Sequence, residues 1–205
     1  MNNVDKLYPA SGSLGEFARG YFGYLKSVLD SIDPQAIDRL GAELEDARER
    51  DATVFVAGNG GSAATATTMA NDLGFDIVKK TGTERPFRLF ALTDNTAVLT
   101  AIANDVGYES VFVGQLQLHY RPGDALIVIS ASGNSPNVVR AAEWVHEAGG
   151  RVIGLLGFDG GKLKGICDCV VHVKTLPGEY GPVEDAHLIL NHVLSHWFQN
   201  RLSGG

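Results

Sequence analysis

Cysteine is nearly missing from this chain of 205 residues, with Cys167 and Cys169 its only two. Thiols one residue apart are too close for an ordinary disulfide and lack the Cys-x-x-Cys spacing of metal and redox motifs. They read as small side chains flanking Asp168 on a strand, which excludes a disulfide-stapled scaffold. No uninterrupted apolar run approaches the roughly 20 residues of a membrane-spanning helix, so no membrane contact is expected. The start, Met1-Asn-Asn-Val-Asp-Lys6, shows no basic stretch followed by an apolar core, hence no evident signal peptide. A cytoplasmic location is the expectation. Positive charge is also scarce: 17 Lys and Arg against 24 Asp and Glu give a net charge of -7, with no basic block. Direct binding to nucleic acid or to an anionic membrane is therefore disfavoured. A Walker-type Gly-Lys-Ser and a Gly-x-Gly-x-x-Gly are both missing, which weakens nucleotide readings. Any phosphate must be held by local N–H groups and hydroxyls.

What the chain has in abundance is glycine, 25 residues clustered at apparent turns, and 44% apolar content, enough for one full core. The opening residues, 1–13, read as a loose tail before a single domain over 14–205. Apolar residues at helical spacing predict helices from Leu14 to Leu29 and from Pro34 to about Glu49. Short apolar runs then alternate with helical segments. Strands are predicted over Thr53–Ala57, Phe87–Leu92, Ala125–Ile129, Arg151–Leu156 and Asp168–Val173. Helices are predicted over Ser62 to about Leu73, Asn95–Ala103, Tyr108–His119, Pro136–Ala148 and Pro182–Asn200. The alternation implies an α/β fold, a parallel sheet covered by helices on both faces. Ligands of such sheets bind outside the carboxyl ends of the strands.

Two loops at that edge stand out. Ser130-Ala-Ser-Gly-Asn-Ser135 joins the strand ending at Ile129 to the helix opening at Pro136. Free N–H groups and the positive dipole end of a helix suit a phosphate there. An ordinary polar loop with Ser135 as N-cap accounts for the same residues, so this segment alone leaves both readings open. Gly58-Asn-Gly-Gly-Ser62 ends the first strand in the same way, where glycines let the backbone approach a ligand. A Gly-rich turn with Ser62 as N-cap is its plainer reading, and a second such loop favours binding. Asp94 could line the pocket or cap the following helix. Asp159-Gly-Gly161 reads as turn chemistry.

These loops, with Ala103-Asn-Asp-Val-Gly-Tyr108, Gly157-Phe-Asp-Gly-Gly-Lys162 and Glu184-Asp-Ala-His-Leu-Ile-Leu-Asn-His192, occur in one order. The ordered set resembles the sugar-isomerase (SIS) domain family, within it the phosphoheptose isomerase branch, over about Leu14 to Phe198. The resemblance implies a five-stranded parallel sheet and a homotetramer with sites at subunit interfaces. It implies aldose–ketose isomerisation of sedoheptulose 7-phosphate to a heptose 7-phosphate. Carried over by position, substrate contacts fall on Asn59, Gly60, Gly61, Ser62, Asn104, Asp105, Ser130, Ala131, Ser132, Ser135 and Glu184. Proton transfer through an enediol needs a base and an acid beside two adjacent carbons. The family's positions for them carry Asp72 and His192, with Glu184 as a further catalytic candidate.

The same resemblance implies zinc, held at the positions of Thr68, Asp72, Glu184 and His192. Thr68 stands where the family has a histidine and is a poor zinc ligand. Asp72, Glu184 and His192 remain as the expected metal set, with lowered zinc affinity. Without zinc, crowding between Asp72 and Glu184 would raise a carboxylate into the range of a working base. Ala131 replaces a hydroxyl residue in the phosphate loop. Thr68 and Ala131 also keep two alternatives in view: a non-catalytic SIS protein that binds a phosphosugar or the replication initiator, and a metal-free isomerase of another sugar phosphate. The eight residues between Glu184 and His192 span about 12 Å of helix, so one small ligand meets both only from between them or at a frayed helix start. His187 reads as part of a hydrogen-bonded interface face. Phe17, Tyr21, Tyr24, Trp197 and Phe198 exceed what one small domain can bury, which points to subunit contacts.

Overall fold

A computed structural model of the chain describes residues 1–203, so Gly204 and Gly205 of the expected 14–205 domain lie outside the described residues. Five strands form one sheet: β1 (Thr53–Gly58), β2 (Arg88–Ala91), β3 (Ala125–Ser130), β4 (Arg151–Leu156) and β5 (Cys169–His172). Their order is β2-β1-β3-β4-β5 and every pairing is parallel. The three central strands bury almost every residue, as continuous apolar runs covered on both faces must. The α/β architecture read from the sequence is present.

Around the sheet lie α1 (Asn3–Leu7), α2 (Leu14–Asp30), α3 (Pro34–Glu49), α4 (Gly61–Met69), α5 (Asp76–Thr81), α6 (Thr96–Asp105), α7 (Val113–His119), α8 (Pro136–Glu147) and α9 (Tyr180–Ser203). They pack on both faces and divide the core into two apolar layers. α3 shows the local logic. The Asp33 carboxylate accepts from the Gln35 N–H, Pro34 opens the first turn, and Ala36, Leu40, Leu44 and Ala47 are its buried face. Among the described residues no helix is long and apolar enough to cross a membrane.

The structure corrects several expectations. The opening segment is not loose throughout: Asn2 caps α1 with a capping box, and the Asn3 N–H donates to the Glu179 carboxylate at 2.6 Å. The helix expected to stop near Leu73 continues through a π-helical stretch, Ala70–Phe75, into α5. It also begins one residue earlier, with Gly60 in the cap position and Ser62 inside the helix. The cap of α6 is Asn95, which accepts from the Val98 N–H. Asp94 instead accepts from the Thr67 hydroxyl. Phe198, expected at a subunit contact, lies in the core with its ring 4.6 Å from that of Phe87. Trp197, its neighbour on α9, is 60% exposed.

Candidate active site

β1 connects to β2 on one side and is flanked by β3 on the other, so the chain reverses its direction of winding between β1 and β3. A crevice opens outside the carboxyl ends of strands at such a point. Gly58 pairs with Ile129 there, which brings the two polar loops side by side. A cleft of about 130 Å³ lies between them, lined by Asn59, Ser62, Ser130, Ala131, Ser132, Ser135, Tyr180 and Glu184. Seven of these were anticipated from the sequence; Tyr180, on the first turn of α9, was not.

The hydroxyls of the Ser130 loop are prepared as donors. Ser130 Oγ accepts from the Gly133 N–H at 3.0 Å, and Ser132 Oγ accepts from the Asn134 N–H at 3.3 Å. Their hydroxyl protons remain free for an anion. Ser135 occupies the N-cap of α8, yet its side chain makes no capping bond, so it too is available. Gly133, at φ 63°, lies so close to the Gly160 backbone that a Cβ would collide. The loop after β4 braces this one further: the Leu163 N–H donates to Gly133 O at 3.1 Å and the Lys162 N–H to Asn134 Oδ1 at 3.0 Å. Ala131, the loop position expected from the resemblance to carry a hydroxyl, is buried.

Asn59 is held by a clasp that sequence reading missed. Its amide and that of Asn137 donate to one another, each at 2.9 Å, and the Tyr108 hydroxyl donates to Asn59 Oδ1 at 3.0 Å. Asn59 and Gly60 also border a second cleft of about 190 Å³, with Thr93, Thr100 and Tyr108 on its wall. Asn104 and Asp105, expected to touch substrate, line neither cleft. Both are exposed at the end of α6, where the Asn104 amide donates to Asp105 Oδ1 at 2.7 Å.

Glu184 lies against Gly61 at the start of α4, close enough that a Cβ there would collide with its carboxylate. Burial, and secondarily the neighbouring Asp185 charge, hold the Glu184 carboxyl above its usual range. Asp72 is not the cause, contrary to the crowding expected of the pair. α4 and α9 run side by side: Glu184 meets Gly61 near both helix starts, and Asp72 meets Asn191 further along. Eleven residues of helix separate Gly61 from Asp72, about 16 Å.

Asp72 sits in the π-helical stretch, a feature frequent at functional sites. His192 Nε2 lies 3.7 Å from Asp72 Oδ2, while Asn191 Nδ2 donates to the same oxygen at 2.7 Å. This pair does not make a zinc site within one copy. Thr68 commits its hydroxyl to the Ala64 carbonyl at 2.9 Å, and Glu184 stands at the other end of the helix pair. Among the described residues no three His, Cys, Asp or Glu side chains gather to hold a metal. His187 is not a hydrogen-bonded interface residue either. It is fully buried, neither ring nitrogen has a partner of hydrogen-bond geometry, and burial lowers its pKa to about 4, slightly opposed by the nearby Leu156 carbonyl.

Residues 20–157 match the SIS domain family. The chain is similar to a phosphoheptose isomerase of Rhodospirillum rubrum, 42% identical over 142 residues that cover 69% of this chain and 72% of that one. It is 37% identical to a phosphoheptose isomerase of Geotalea daltonii over 183 residues, covering 87% and 92% of the two. Among solved structures it resembles a phosphoheptose isomerase from Neisseria gonorrhoeae, with a TM-score of 0.80, 30% identity and coverage of 92% and 100%.

Proposed function

The chain belongs to the SIS domain family, and we propose that it is an aldose–ketose isomerase interconverting sedoheptulose 7-phosphate and a heptose 7-phosphate. The observation that carries this reading is the hydroxyl-lined cleft at the sheet's winding reversal, with a carboxylate of raised pKa on its wall. Ser130, Ser132 and Ser135, at the N-terminus of α8, take the phosphate in a chain whose overall charge repels anions. The cleft is small beside the roughly 300–1,000 Å³ of ordinary ligand pockets. The phosphate fills it, and the sugar extends past Asn59.

A seven-carbon chain anchored by its terminal phosphate places C1 and C2 far from the serines. Asp72 takes the proton from C1 and returns it to C2 of the enediol. His192 protonates the C2 oxygen to form the enediol and takes up the C1 hydroxyl proton as C2 is protonated, so the isomerisation is redox-neutral and both residues end as they began. Glu184, on the cleft wall, holds the sugar hydroxyls and can share the proton. Within one copy Asp72, beyond the end of α4, stands too far along the helix to reach a sugar in the serine cleft. The Asp72–His192 pair therefore serves the cleft of a neighbouring copy, which is the reason for the homotetramer. The donor set of one copy does not fit zinc, and no step here passes through a metal. The unpaired thiols Cys167 and Cys169 suit a reducing cytoplasm.

Turnover of a panel of sugar phosphates tests this. Glu184→Gln and His192→Ala should each lose about a hundredfold or more in kcat, the scale of general acid–base catalysis. Near wild-type rates in both would end the mechanism. A wild-type protein that binds the sugar phosphates and turns over none would favour the binding-protein reading.

A further inference from the structure

Asn191 is wholly buried on α9, and its side chain makes one hydrogen bond, donated by Nδ2 to Asp72 Oδ2 at 2.7 Å. Its own Oδ1 is buried without a partner. The Asp72 carboxylate fixes the orientation of the amide, since a flipped amide would set oxygen against oxygen. The amide leaves its own carbonyl orphaned while it satisfies Asp72 Oδ2, so its polar work here is directed at that carboxylate. What the amide does is hold Asp72. With Asn71 Nδ2 donating to Oδ1 at 3.1 Å and His192 beside Oδ2, the carboxylate is gripped on both oxygens. Of these groups only Asn191 is fully buried, and therefore fixed by packing from every side.

We propose that Asn191 is a positioning residue that orients the Asp72 carboxylate for proton transfer, an inference that rests on the isomerase reading above. The amide presents hydrogens to Oδ2, the oxygen His192 also faces, so it directs that oxygen toward the histidine and leaves a lone pair of Oδ1 for the substrate carbon. Asn191 touches no substrate, so its removal should slow the chemical step and leave sugar-phosphate binding alone.

The test compares N191L with wild type in steady-state turnover of sedoheptulose 7-phosphate, singly and in a D72N background. Melting curves of N191L and wild type first establish that the variant folds, since the orphaned carbonyl is gone while Asp72 Oδ2 loses a donor. Its kcat should fall between about tenfold and a hundredfold, the range for one hydrogen bond to a charged group, with KM within about twofold. In the D72N background the same substitution should change little, because the carboxylate it acts through is gone. An undiminished kcat, a loss confined to KM, or an equal loss with and without Asp72 would overturn the inference while the isomerase reading stands. Should N191L not fold, N191A is judged by the same three criteria. A wild-type protein without turnover overturns the isomerase reading and this inference with it.

Discussion

Ser132 and His187 show how differently two polar residues can be used. Ser132 lines the cleft with its hydroxyl proton uncommitted. Ser132→Ala should weaken sugar-phosphate binding by about 1–2 kcal/mol, the worth of one charge-assisted hydrogen bond; calorimetric titration reads it, and unchanged affinity would move the phosphate elsewhere. His187 is the opposite case, a titratable ring in an apolar interior. Its pKa falls from 6.5 to about 4 on folding, so between these values the unfolded chain binds the extra proton. The stability due to a neutral His187 is present above pH 6.5 and drains away as pH falls toward 4, by about 3 kcal/mol in all. Melting temperatures of wild type and His187→Leu at pH 7 and pH 4.5 check this: the variant should lose distinctly less on acidification. The serines were legible because three hydroxyls crowd a strand-to-helix junction. The state of His187 was not, since helical spacing shows which residues share a face but not whether a partner waits opposite.

At the scale of elements, the contact between α4 and α9 carries most of what the sequence hid. The strands stood out as apolar runs and were placed to within a residue or two at their ends. The continuation through Ala70–Phe75 into α5 was hidden by Gly74, which breaks the helical pattern, and by the π-helical geometry, which shifts side chains off the 3.6-residue period. The Asn59 clasp was equally hidden, because its partners lie 49 and 78 residues away in sequence. Asp72 and Glu184 were expected to crowd one another because the resemblance puts both in one metal set, but parallel packing of the two helices sets them well apart. The same packing sets the Glu184 carboxylate against Gly61. Gly61→Ala would drive a methyl group into the Glu184 carboxylate, although alanine favours helix. The variant should therefore keep its helical circular dichroism and lose at least tenfold in kcat. Wild-type activity would show that Glu184 has no fixed place at the cleft.

On the scale of the whole molecule, the proposed mechanism makes the serine cleft and the Asp72–His192 pair half-sites that a second copy would unite. Partial exposure of Tyr21 and Tyr24, and the openly exposed Trp197 and Phe22, leave apolar surface for that contact. Light scattering at micromolar concentration should give four times the 21.8 kDa chain mass, and a monomer would contradict it. A mixed oligomer of Glu184→Gln and His192→Ala chains should recover activity, since each supplies the half that the other lacks. The brace between the loops after β3 and β4 has one more consequence. Those hydrogen bonds immobilise the anchor when the chain folds, so the entropy of ordering it is lost before any ligand arrives and is not lost again on binding. Under the isomerase reading, such an anchor should grip a phosphate ester with similar strength whatever carbon chain is attached. Discrimination among sugars falls to the groups beyond Asn59, where substitutions can retune the choice of sugar and leave the grip on the phosphate intact.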